Sequence, residues 1–285
     1  MFKNYKIIEF FSSLSFLVPL VPLWLIGFVF FFPFRVLAEE WVFLPPAPLF
    51  RPLIGDPREP QTSVISHTSQ VRFEGALGAT VELARFSPPD ATQWSVGMFG
   101  TGFILLDQEG VAFPMRNNDW LAGMYLTGSS GSFSHRLEFL HQSSHLGDSL
   151  EGLQEPIIYN GENFNYTFSY QPSESLRFYA GLGVWENIYP YDNAFFASLG
   201  AEVFSTASEF IGTTVRGYGT FHLKWKAQGA GTLNKTAQLG IQWKFNPEES
   251  RALRLAVIFY DGNYEYGQFY QGHDNHWAVG VYFDP

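Results

Sequence analysis

Residues 213–227 read TTVRGYGTFHLKWKA, and their alternation decides the fold class. Val215, Gly217, Gly219, Phe221, Leu223 and Trp225 fall on one side of an extended chain. Thr214, Arg216, Tyr218, Thr220, His222, Lys224 and Lys226 fall on the other. A helix would mix the two sets, whereas a period of two separates them. Residues 234–245 repeat the pattern, with Ala237, Leu239, Ile241, Trp243 and Phe245 opposite Thr236, Gln238, Gly240, Gln242 and Lys244.

Working outward, no long stretch of the remaining chain keeps a helical period. Alternation predicts twelve strands, over 70–78, 79–86, 93–105, 119–130, 134–144, 157–171, 175–185, 194–205, 213–227, 234–245, 251–262 and 276–284. Several reach the roughly ten tilted residues that cross a bilayer as barrel strands. Links alternate between short (130–134, 171–174, 246–249) and long (107–118, 145–156, 186–193, 262–275), as periplasmic turns and external loops do. The segment 206–212 is long for the short side. The chain closes on HWAVGVYFDP, an alternating strand with terminal aromatics.

The expected fold is all-β: a closed antiparallel transmembrane β-barrel of about twelve strands with a Pro-rich N-terminal leader. A secreted β-sandwich is the alternative, since its strands would alternate too. Composition favours lipid: aromatic residues are 18% of the 285, while charged residues are only 15%, against roughly 25% in soluble domains. With 27 acidic and 17 basic residues, nucleic acid is not an expected partner. Cysteine is absent, which excludes disulfides and thiolate metal sites.

The first 38 residues read as a signal peptide: Lys3 and Lys6, an apolar run from Phe10 to Phe34, then Val36-Leu37-Ala38 ahead of a mature start at Glu39. Residues 39–66 form the leader, whose prolines exclude regular helix and central strand. Its apolar runs predict packing on or in the barrel, assigned to 67–285. Asp56, Arg58 and Glu59 in GDPREP are expected in a turn with ion pairs, and Asp261 and Gln268 in a shaped external loop. Arg177, Arg216, Lys224, Lys226 and Arg254 line the lumen, either in salt bridges with residues such as Glu138 and Glu202 or as a selective pore.

Three runs, FLPPAPLFRPLIGDPREP, LHQSSHLGD and FYDGNYEYGQFY, resemble the bacterial domain-of-unknown-function 1207 family. The resemblance implies an envelope barrel in the bacterial outer membrane and carries no activity.

The second run poses the chemical question. Leu137, Phe139, His141 and Ser143 share the lipid face of their strand, and Arg136, Glu138, Gln142 and Ser144 face the lumen. The outward His-x-Ser pair resembles that of outer-membrane phospholipase A and the lipid A 3-O-deacylase. That resemblance implies Ser143 as nucleophile and His141 as base, with membrane lipid as substrate and a monomer or homodimer as the working unit. Residues i and i+2 of a strand project side by side, as such chemistry requires.

An orienting residue would come from the next strand, where parity places Asn160 and Glu162 on the same face. A loop centred near residue 150 sets Asn160 directly opposite His141 and Glu162 one diagonal away. No oxyanion donor is identifiable. Ordinary rim polarity is the plainer reading of the pair, and a non-enzymatic barrel is the competing function. No cofactor is expected, though His145 and Asp148, with His141, offer a weak metal set, and Asp148, Glu151 and Glu155 offer oxygens for calcium.

Overall fold

The computed structural model describes residues 40–68, 72–88, 92–108, 112–150, 152–186, 194–227, 231–245 and 251–284. The expected signal segment, together with Glu39 and Glu151, lies outside the described residues. The strands are β1 (Glu40–Phe43), β2 (Thr62–His67), β3 (Arg72–Ser87), β4 (Gln93–Asp107), β5 (Met115–Ser130), β6 (Phe133–Leu146), β7 (Tyr159–Ser173), β8 (Leu176–Glu186), β9 (Ala194–Phe204), β10 (Ser208–Phe210), β11 (Thr213–Lys226), β12 (Thr232–Lys244), β13 (Ala252–Asn263) and β14 (His273–Asp284). Antiparallel pairing runs β3-β2-β14-β13-β12-β11-β9-β8-β7-β6-β5-β4 and returns from β4 to β3, closing a barrel of twelve strands. Closure pairs backbone groups within the wall, which hydrocarbon demands.

Burial is inverted relative to a soluble protein. The outward face carries Leu77, Leu182, Leu239, Leu199 and Trp277, each more than half exposed. The inward face carries Asn117, Asp119, Glu202 and His222, each at most 2% exposed. Along β11 the even set is the inward one, with Tyr218, Thr220 and His222 buried while Phe221 and Trp225 stand out. Aromatics band the turn end, where Phe133 stacks on Tyr170 at 4.8 Å and Trp41 on Phe86 at 5.1 Å. Near the loop end Phe259 packs on Trp277 at 5.1 Å. An apolar outer band between aromatic girdles is the outer-membrane-type pattern.

The strand count agrees with expectation through two compensating differences. Residues 70–86 do not divide at Gly78: β3 runs unbroken through it. A glycine there leaves room for the Thr101 side chain and the Gly100 carbonyl, so its role is close packing rather than a turn. The additional wall strand is β2, within what the sequence assigns to the leader, which moves the barrel boundary from residue 67 to Thr62. The long link on the short side is a small hairpin, β10 against β11. Its two turn residues, Ile211 (φ 49°) and Gly212 (φ 71°), both lie in the left-handed region that a two-residue hairpin favours.

A β-branched residue is strained there, and Ile211, 86% exposed, gains no packing in return. Ile211→Asn is expected to stabilise the barrel by about 1 kcal/mol. A higher urea midpoint checks it, and an unchanged one removes the argument.

Between β1 and β2 the chain leaves the wall and crosses the lumen. Arg177 donates to the carbonyls of Arg51 and Pro52 at 2.9 and 2.8 Å, and Ile54 N donates to Glu202 at 2.8 Å. Phe50 lies 4.6 Å from the Arg136 guanidinium, and Asp56 lies 3.7 Å from His222 and 3.9 Å from Lys224. Arg58 pairs with Asp119 at 2.5 Å, and Glu59 takes a bidentate bond from Arg136 at 2.7 and 2.9 Å. GDPREP is thus a set of ion-pair partners for the wall. Of the lumen cations, Arg177 also meets Glu202 at 2.7 Å, Lys226 meets Glu265 at 2.6 Å, and Arg254 meets Asp284 at 2.8 Å. Arg216 binds Gln242 at 2.7 Å and lies over Phe204 at 4.0 Å.

From the loop end, residues 264–272 fold inward with a single 3-10 turn, Gly267–Phe269. Gln268 is buried and bonds the Ser144 and Ile157 carbonyls at 2.9 and 2.8 Å, while Gly267 N reaches Asp119 at 3.3 Å. Cavities of about 80 and 50 Å³ lie along this filling, room for a few waters.

Burial pushes the Glu265 carboxyl up, but Lys226 and Lys224 outweigh it and hold it down at about 2. A depressed carboxylate contributes stability that is complete above its unfolded value of 4.5 and is lost as pH falls through about 2. That loss should be roughly 3 kcal/mol. Urea midpoints measured from pH 5 to 2 should fall more steeply in wild type than in Glu265→Gln; parallel curves would contradict this.

Candidate functional site

Strand β6 places the site because its parity is unambiguous. Arg136, Glu138, Gln142 and Ser144 are buried in the lumen at 3–7% exposure, so His141 and Ser143 stand on the outer wall. Ser143 lies three residues from the strand end at Leu146, or ~10 Å along the strand, at the loop-side rim.

The pairing differs from expectation by two residues. Glu162 is directly opposite His141, and Asn160 is opposite Ser143. The connecting loop causes the shift: its 3-10 turn, Asp148–Leu150, and Gly152 at φ 74° move its centre beyond residue 150. Since the shift is even, all four side chains keep the same face.

His141 Nδ1 lies 3.3 Å from Glu162 Oε1, with the imidazole side chain 53% exposed and the carboxylate 24%. The expected orienters therefore part: Glu162 meets the imidazole, and Asn160 stands opposite Ser143. Among the described residues no hydrogen bond joins His141 to Ser143. Trp120, 57% exposed, is opposite Ser143 on β5, and Ala122 is opposite His141. Ser143 is thus flanked by an indole and an amide, and His141 by a methyl group and a carboxylate.

A carboxylate on Nδ1 fixes the tautomer whose Nε2 carries the lone pair, which makes the ring an acceptor for a hydroxyl proton. At a half-exposed rim such an ion pair is worth little as stability, at most about 1 kcal/mol.

The other expected ligating residues do not converge. His145 and Asp148 are exposed, Asp148 opening the loop's 3-10 turn, and among the described residues neither belongs to a group of three ligating side chains. Asp261 sits in an exposed rim network with Lys235 at 2.6 Å and His273 at 3.1 Å, whereas Gln268 is part of the inward-folded loop. Sequence reading passed over Asp274 and His276, which are buried on the lumen face of β14 beside His67. An Asp-x-His spacing in an alternating strand was the available signal, but its partner lies at the other end of the chain.

Among the solved structures similar at low identity are two outer-membrane proteins. The beta domain of the Bordetella autotransporter BrkA shares 10% identity at a TM-score of 0.46, covering 78% of this chain and 94% of that one. The outer-membrane expressed OmpT of Vibrio cholerae shares 9% at 0.34, covering 82% and 100%. Among curated proteins, none matches the sequence. The profile of the family described as "Protein of unknown function (DUF1207)" matches residues 35–284, and the chain belongs to that family.

Proposed function

We propose that this protein is an outer-membrane lipid acyl hydrolase working on the outside of a sealed barrel. The observation that carries the reading is the His141–Glu162 contact of 3.3 Å on an apolar outer wall, with Ser143 next on the same face. Ser143 Oγ attacks an acyl ester carbonyl, and its proton passes to His141 Nε2 while Glu162 steadies the imidazolium. Collapse of the tetrahedral adduct expels the alcohol, which takes the proton from His141 and leaves an acyl-serine. Water, deprotonated by the same imidazole, then releases the fatty acid and restores Ser143. Asn160, opposite Ser143, supplies the amide donor toward the developing oxyanion. Trp120 and the surrounding apolar wall receive the acyl chain.

The filled lumen argues against the competing pore reading, because residues 44–61 and 264–272 occupy the path that solute would take. The test is direct. The full chain reconstituted into vesicles of phospholipid, and separately of lipid A-containing lipid, should release fatty acid in at least one. No release from either would leave a non-enzymatic envelope barrel.

A further inference from the structure

The lumen holds a second cluster, unrelated to the outer-wall site. Alternation along β14 turns Asp274 and His276 inward, at 4% and 7% exposure. His67, the last residue of β2 and 6% exposed, pairs with Ala278 and so lies one diagonal from His276. The two imidazole centroids are 3.9 Å apart. One ligating atom from each of His67, Asp274 and His276 falls within 4.8 Å of the other two.

The cluster also gathers buried polar atoms that lack a hydrogen-bond partner. His67 Nδ1, His276 Nδ1 and Asp274 Oδ1 are all buried without a hydrogen-bond partner. His276 Nδ1 approaches Asp274 Oδ2 to 3.1 Å, yet without hydrogen-bond alignment. Buried polar atoms are normally satisfied, so unsatisfied atoms on three ligating side chains that come within 4.8 Å of one another call for a further partner. Because the imidazoles offer lone pairs and Asp274 a negative charge, that partner is a cation.

The surroundings prepare the ligands. His67 Nε2 lies 2.7 Å from Glu74 Oε1, which takes the Nε2 proton and leaves the lone pair on the orphaned Nδ1. Tyr260 stacks on His276 at 5.5 Å and holds its ring. Arg72 approaches Asp274 to 3.8 Å and competes for its charge. Two imidazoles and one carboxylate suit zinc and its first-row neighbours better than calcium or magnesium, which prefer oxygen alone. Asp274, His276 and Glu74 border the 50 Å³ cavity, which gives a fourth ligand position room for water.

We propose that His67, Asp274 and His276 bind one divalent first-row transition-metal ion inside the barrel, with Glu74 orienting His67. The ion ties β2 to β14, the two strands at the seam where the chain begins and ends its circuit of the wall.

Cobalt(II) is the probe, because tetrahedral coordination gives strong visible absorption. Chelator-treated full-length barrel in detergent should take up one equivalent of Co²⁺ with that absorption, and Zn²⁺ should displace it. Asp274→Asn and His276→Ala should each weaken binding at least about tenfold, as loss of a ligand requires. His273→Ala, on the exposed face of the same strand, should leave it intact. Absence of saturable one-equivalent binding in the wild type overturns the proposal by itself, so a variant that misfolds does not shelter it. Binding that persists unchanged in folded Asp274→Asn overturns it equally.

Discussion

Ser143→Ala should lower lipid ester hydrolysis by about a thousandfold or more, to the level of the vesicle blank, because removing a nucleophile removes the covalent path itself. The neighbouring Ser144→Ala should keep the activity in whatever fraction of protein folds. Ser144 is 4% exposed, faces the lumen and donates to Asn117 at 3.3 Å, so it cannot meet a lipid. The pair tests the face as well as the residue, since a soluble contaminant would ignore both substitutions. Glu162→Gln should reduce kcat by about ten- to a hundredfold with KM unchanged, because the carboxylate steadies a charge that exists only after proton transfer. Asn160→Ala should cost up to about a hundredfold if its amide meets the oxyanion. Equal activity in wild type and Ser143→Ala would discard the mechanism whatever the other variants did.

What could be read from the chain beforehand was what repeats locally. The two-residue alternation in 213–227 and 234–245 carries over into β11 and β12, paired from Thr214 with Lys244 to Lys226 with Thr232. The same rule put His141 and Ser143 outside. Features set by a single backbone detail were harder. Gly78 looks like a break in sequence but is a close-packing position, and two residues of loop geometry decided whether Asn160 or Glu162 faced His141. Features built between distant segments left no local trace. Ile54 bonds Glu202 across 148 residues and Gln268 bonds Ser144 across 124, so no window of sequence contains both partners. The leader's apolar runs signalled that it packs; which wall residues received it depended on the closed barrel.

Asp119→Ala should be the most damaging single change in the lumen, costing about 3–5 kcal/mol, the penalty for leaving a buried charge without its partner. Asp119 is wholly buried and serves two inserted elements at once: Arg58 of the leader at 2.5 Å and Gly267 N of the inward loop at 3.3 Å. Asn117 and Gln142 complete its coordination at 2.7 and 3.4 Å. Removing it strands the Arg58 guanidinium against the Phe103 ring, 4.2 Å away, without its hydrogen-bonded carboxylate. Hydrogen exchange should then rise in both 44–61 and 264–272, and a bilayer that is silent with wild type should show conductance steps. Arg58→Met combined with Asp119→Leu should recover most of the lost stability, because both charges go and packing on Phe103 remains. Recovery of stability with conductance still present would mean that the ion pair, rather than the bulk of the leader, seals the lumen. A single variant as stable and as silent as wild type would remove Asp119 from that role.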